Sequence, residues 1–170
     1  MPVRSCTSLS RALSARVLAV AFVAAMVAVG CAGGSAPSPA APTAPDALAG
    51  VTVEVAQSEA CGCCGEWVAY LEQHGASVEV THVDDLAAVK AAAGVPGELG
   101  SCHTATVAGY VVEGHVPVQA IVDLLDTAPD IDGIALPGMP AGSPGMPGEQ
   151  QAPFEVASFT DGAVSAFGAY

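Results

Sequence analysis

Apolar residues recur along the second two-thirds of the chain with periods that alternate between those of strands and helices. Val51, Val53 and Val55 alternate with polar or small residues, which predicts a short half-buried strand ending just before Cys61. After Gly65, Trp67, Tyr70 and Leu71 fall at helical spacing, and His74-Gly75 supplies a stop. Val78, Val80 and His82 alternate again as a second strand. Asp84 or Asp85 can cap a short helix carrying Leu86 and Val89, which ends near Gly94-Val95-Pro96-Gly97. Residues 104–107 and 110–112 are expected to form two strands joined at Ala108-Gly109. Pro117 opens a helix whose Val118, Ile121, Val122 and Leu125 follow the i, i+3, i+4, i+7 pattern of a helix laid on a sheet. Beyond Pro129 a Gly- and Pro-rich stretch is expected to wrap the domain, followed by two short strands around residues 154–159 and 164–167.

The order strand, helix, strand, helix, strand, strand, helix predicts an α/β chain of the α+β sandwich kind, a mixed sheet flanked by helices in a thioredoxin-like arrangement. With 170 residues there is room for one such domain. The first 50 residues read differently. Arg4, Arg11 and Arg16 precede an apolar run over residues 17–29 that is too short for a membrane span, which needs about 20 apolar residues. Residues 1–30 are therefore expected to be an export signal. Ala28-Val29-Gly30-Cys31 resembles a bacterial lipobox, which makes Cys31 the expected lipidated residue. Residues 31–50, rich in Ala, Pro and Ser, are expected to tether the domain of residues 51–170 to the membrane face of the cell envelope or periplasm.

All 17 acidic residues lie after Cys31, where Lys90 is the only basic one, a formal charge of −16 for that part. Nucleic acid is excluded as a partner, because counterion release from phosphates needs clustered Lys and Arg. Cations are the natural small partners, although the same charge also serves solubility.

Cysteine supplies the chemistry. Of six, Cys6 leaves with the signal and Cys31 goes to lipid, so Cys61, Cys63, Cys64 and Cys102 remain. Cys61-Gly62-Cys63-Cys64 puts three sulfurs at an expected helix N-terminus, where the helix dipole favours thiolates. Cys102 precedes the third strand, which the fold brings beside that helix end, so the fourth sulfur is expected to join the other three. Glu113-Gly114-His115 ends the fourth strand at the same sheet edge, making His115 a candidate ligand or a partner of one. His103, Met139 and Met146 are further candidates. Such a set can hold Zn(II), Cu(I) or an iron–sulfur cluster. One C-x-C-C meeting a lone cysteine suits bridging thiolates and clustered Cu(I) better than the paired knuckles of structural zinc, which stays as the runner-up. Cys61 and Cys64 also form a C-x-x-C, so a thiol–disulfide oxidoreductase is the alternative. Trp67 is expected to pack beneath the site.

Together, Cys61-Gly-Cys-Cys-Gly-Glu-Trp67, Ser101-Cys-His-Thr104, Glu113-Gly-His-Val-Pro117 and Leu136-Pro-Gly-Met-Pro-Ala-Gly-Ser-Pro-Gly-Met146 resemble the CopG family of copper-resistance proteins. The resemblance covers residues 51–146. It implies a thioredoxin-like fold in the cell envelope and a multinuclear copper site bridged by Cys61, Cys63, Cys64 and Cys102. It also implies a role in copper tolerance with cycling between Cu(I) and Cu(II), which leaves open storage or copper-dependent oxidoreductase activity. The partners implied are copper ions and other copper-handling envelope proteins; the expected contact with the membrane, through the lipid anchor alone, comes from the lipobox and tether, which depart from the soluble periplasmic form of the family.

Overall fold

The structure, a computed structural model, describes residues 44–170. The expected export signal, the lipidation site Cys31 and the tether up to residue 43 lie outside the described residues. Among these, no helix is long and apolar enough to cross a membrane.

Seven strands form one mixed sheet: β1 (Thr52–Gln57), β2 (Ser77–His82), β3 (His103–Val107), β4 (Tyr110–Glu113), β5 (Gly133–Ala135), β6 (Glu155–Thr160) and β7 (Ala163–Ala169). Their spatial order is β2-β1-β3-β4-β5-β6-β7. β1 pairs parallel with β2, and β4 with β5; the other neighbours are antiparallel. Among the described residues, three helices, α1 (Gly62–Gln73), α2 (Leu86–Ala92) and α3 (Val118–Thr127), flank the sheet, with a 3₁₀ turn at Gly97–Leu99. The class is α+β.

The period-two pattern of β1 explains its placement. Val53, Val55 and Gln57 are buried while Thr52 and Glu54 are exposed. The buried face joins Trp67 and Leu71 of α1 and Val118, Ile121 and Leu124 of α3 in the main core. A smaller core of Leu99, Ala135 and Phe159 is formed separately, with Val111 packed against it.

Several sequence expectations shift in detail. The apolar period of the first helix begins only at Trp67, but the helix itself starts at Gly62, with Cys61 at the N-cap and Cys63 and Cys64 in the first turn, the N-terminus expected for them. Asp85 is the cap of α2, its side chain accepting Ala88 N–H at 2.9 Å. In α3, Leu124 is buried whereas Val122 and Leu125 are only partly so. β5, three residues long, carries no alternation that a sequence pattern could show. Leu48, inside the stretch expected as tether, is fully buried, and its N–H donates to His74 O at 2.8 Å.

Candidate metal centre

α1 opens at the end of β1 with Cys61 at its N-cap, no side-chain cap and no acidic residue in its first turn. No carboxylate of its first turn therefore competes with the sulfurs for its first amides and the positive end of its dipole. Cys102 arrives from the 3₁₀ turn just ahead of β3, whose antiparallel pairing with β1 sets His103 opposite Gln57. The sulfurs of Cys61, Cys63, Cys64 and Cys102 all lie within 4.8 Å of one another. Cys63 Sγ stands 3.7 Å from Cys61 Sγ and 3.8 Å from Cys102 Sγ. Cys61 and Cys64 are joined in a disulfide with a Cα separation of 5.4 Å, while Cys63 and Cys102 are free. One helical turn puts a C-x-x-C pair within bridging range, and the neighbouring Cys63 is left out. The disulfide form thus offers two thiols, and reduction adds two more.

A second cluster shares Cys102. Its sulfur, His103 and His115 each place a ligand atom within 4.8 Å of the others. His115 Nδ1 is 2.7 Å from Pro144 O, so it carries the proton and donates it there. Nε2 is then a lone pair facing Cys102 Sγ at 2.9 Å, the tautomer a metal ligand needs. Burial lowers the His115 pKa, and burial, then His115 and Lys90, push His103 down to about 3. Both rings are neutral near pH 7. The Cys102 thiol is pushed up to about 11, first by burial and then by Cys63.

Two consecutive turns bring Pro144 to His115. Ser143 N–H donates to Pro140 O at 3.1 Å and Met146 N–H to Ser143 O at 2.8 Å, with Gly142 and Gly145 at positive φ. At Gly145 a Cβ would stand 2.7 Å from Trp67 N and 2.9 Å from Cys63 O, so only glycine lets the loop lie on α1. The Gly/Pro-rich stretch does wrap the site. Trp67, fully buried, donates Nε1–H to Val116 O at 3.0 Å and packs 4.3 Å from the His103 ring, the supporting place expected for it.

Met139 is 53% exposed and Met146 partly buried. His74 bonds Tyr70 O, and His82 lies near Gln57; neither belongs to a cysteine cluster. Sequence patterns missed Glu113 and Gln57. Glu113 is buried and binds Lys90 Nζ at 2.5 Å, Ser101 N–H at 2.6 Å and Thr104 Oγ1–H at 2.7 Å. Its place in a Glu-Gly-His motif beside the lone Lys90 was the available signal. Gln57 Oε1 and His103 Nε2 are buried without hydrogen-bond partners, on residues directly opposite in β1 and β3. A donor set of four sulfurs, once Cys61–Cys64 is reduced, and the two neutral imidazoles of His103 and His115 fits a soft metal ion.

A family described as a protein of unknown function, DUF411, matches residues 99–146. Among curated proteins none matches. Two solved structures of copper resistance protein CopG, forms 1 and 2, are each 42% identical to the chain. Form 1 aligns with a TM-score of 0.65 over 70% of this chain and 96% of its own, and form 2 with 0.66 over 71% and 98%. The chain belongs to the CopG family. The CopG alignment spans more of the chain than the 99–146 match, which excludes Cys61, Cys63 and Cys64.

Proposed function

We propose that this CopG-family chain is an envelope copper-binding protein that holds Cu(I) through Cys61, Cys63, Cys64 and Cys102, as a thiolate-bridged cluster, in copper resistance or homeostasis. The observation that carries this is the convergence of a cysteine some forty residues away onto the three-cysteine turn, with Cys102 Sγ 3.8 Å from Cys63 Sγ. Four sulfurs in one small volume suit bridging thiolates, and Cu(I) is the soft ion that prefers them. Cu(II) prefers nitrogen, and His115 and His103 beside Cys102 supply it. A site with both donor types can tune the couple between the two copper states. The frame is read as thioredoxin-like from its element order, and the chain as exported and anchored through Cys31 from its N-terminal sequence.

The test is metal analysis on anaerobically purified full-length protein, with thiols counted before and after Cu(I) chelation. Several copper ions per chain, with the cluster thiols reactive only after chelation, is the expected result. Retained zinc in place of copper would give the structural-zinc alternative.

The Cys61–Cys64 disulfide favours a second role. Converting the two thiols to the disulfide releases two electrons and two protons, enough to take two Cu(II) ions to Cu(I). A protein that retains no copper yet cycles this pair reversibly would be a thiol–disulfide oxidoreductase.

A further inference from the structure

Lys90 is the only Lys or Arg after Cys31, and its charge is not spent on the surface. Its Nζ lies 2.5 Å from Glu113 Oε1 and donates to Thr104 Oγ1 at 3.0 Å. The Glu113 side chain is fully buried, and both its oxygens are used. Oε1 also accepts the Ser101 N–H at 2.6 Å, and Oε2 accepts the Thr104 hydroxyl at 2.7 Å. α2, β3 and β4 are thereby tied to the residue immediately before Cys102.

Fold stability is a weak account of this pair, because replacing a buried ion pair with apolar side chains of similar volume is often neutral or stabilising. What an apolar pair cannot do is accept the Ser101 amide. Ser101 is held twice more. Its hydroxyl donates to Gly138 O, and it passes Gly114 where a Cβ would stand 2.6 Å from its own Cβ. With the backbone fixed there, Cys102 Sγ stands 3.8 Å from Cys63 Sγ and 2.9 Å from His115 Nε2.

We infer that Glu113, neutralised by Lys90, is a positioning residue that sets the Cys102 thiol against Cys63 and His115 through the Ser101 amide. The inference deepens the copper reading above and rests on it for its consequence, but its geometry can be tested without metal.

The probe is phenylarsine oxide, which bridges two thiols held close together. On metal-free full-length protein with Cys61–Cys64 oxidised, peptide mapping reads the Cys63–Cys102 bridge apart from any adduct at Cys31. The Lys90→Met, Glu113→Leu double variant removes charge and acceptor together; Lys90→Met with Glu113→Gln removes the charges but keeps an acceptor for Ser101. In the Leu variant, still melting cooperatively, bridging is expected to slow about tenfold or more, with Cu(I) affinity falling about 10- to 100-fold, as when outer partners of metal ligands are lost. The Gln variant is expected to bridge at close to the wild-type rate. A folded Leu variant that bridges as fast as wild type would overturn the assignment. So would a Gln variant slowed about tenfold, and that arm decides the matter if the Leu variant does not fold. A wild-type protein that bridges but retains no Cu(I) would remove the copper reading and leave the positioning role standing.

Discussion

Pro144 O accepts a hydrogen bond from His115 Nδ1–H, and the nitrogen left facing Cys102 is therefore an acceptor. Single contacts of this kind set how the site responds to protons. Because burial and Cys63 push the Cys102 thiol up to about 11, any metal that takes its thiolate displaces a proton across the physiological range. Cu(I) affinity is expected to fall about tenfold per pH unit for each proton displaced as pH drops from about 7.5 to 5. A competition titration with a Cu(I) chelator checks this, and a flat profile would speak against thiolate ligation. His103 acts on stability in the metal-free protein. Its folded pKa of about 3 is depressed by burial, so the unfolded chain binds a proton that the folded chain refuses. Its contribution is present above about pH 6.5 and is lost as pH falls through that value toward the folded pKa, at up to about 1.4 kcal/mol per pH unit. Urea unfolding at stepped pH should show that slope, and the slope should flatten in His103→Gln. Cys102→Ser is expected to abolish most copper binding. Unchanged copper stoichiometry in that variant would refute the converging site.

At the scale of elements, the decisive features are where α1 begins and what lies on it. Cys-Gly-Cys-Cys carries no apolar period and no side-chain cap, so the apolar pattern begins only at Trp67, although the helix already starts at Gly62 with the cysteines at its N-terminus, as expected. The loop of residues 136–148 was legible as a wrapping segment from its Gly and Pro content, but its target was not. Only the close approach of Gly145 to Trp67 N and Cys63 O shows that it lies on the cysteine turn. Gly145→Ala, forced into a positive φ and into that backbone, is expected to destabilise the fold by about 1–3 kcal/mol. It should also move Pro144 away from His115. A thermal melt and the thiolate-to-copper absorption of the loaded protein measure the two effects. A variant with wild-type values of both would show that the loop gives way without disturbing the site.

For the whole molecule, the C-terminal hairpin turns out to complete the sheet. Phe154 and Val156 enter the main core and Phe159 the smaller one, so β6 is held in both. Truncation after Gly148 removes these three side chains, each contributing about 1.5–3 kcal/mol on burial, and is expected to abolish cooperative unfolding by circular dichroism. A shortened chain that still melts cooperatively would show that β1 to β5 suffice. The sequence by itself determined the α+β class, the alternation of most strands and helices, and the identity of the sulfur-rich residues, because these depend on periodicity and residue type within short windows. That Cys102 joins the cysteine turn was legible from the expected strand order, whereas only the tertiary structure decided that Pro144 sets the His115 tautomer and that Lys90, half-buried, lies against Glu113. Each of those contacts joins residues far apart in the chain, and only the pairing of strands and the packing of helices on them determine which side chains meet.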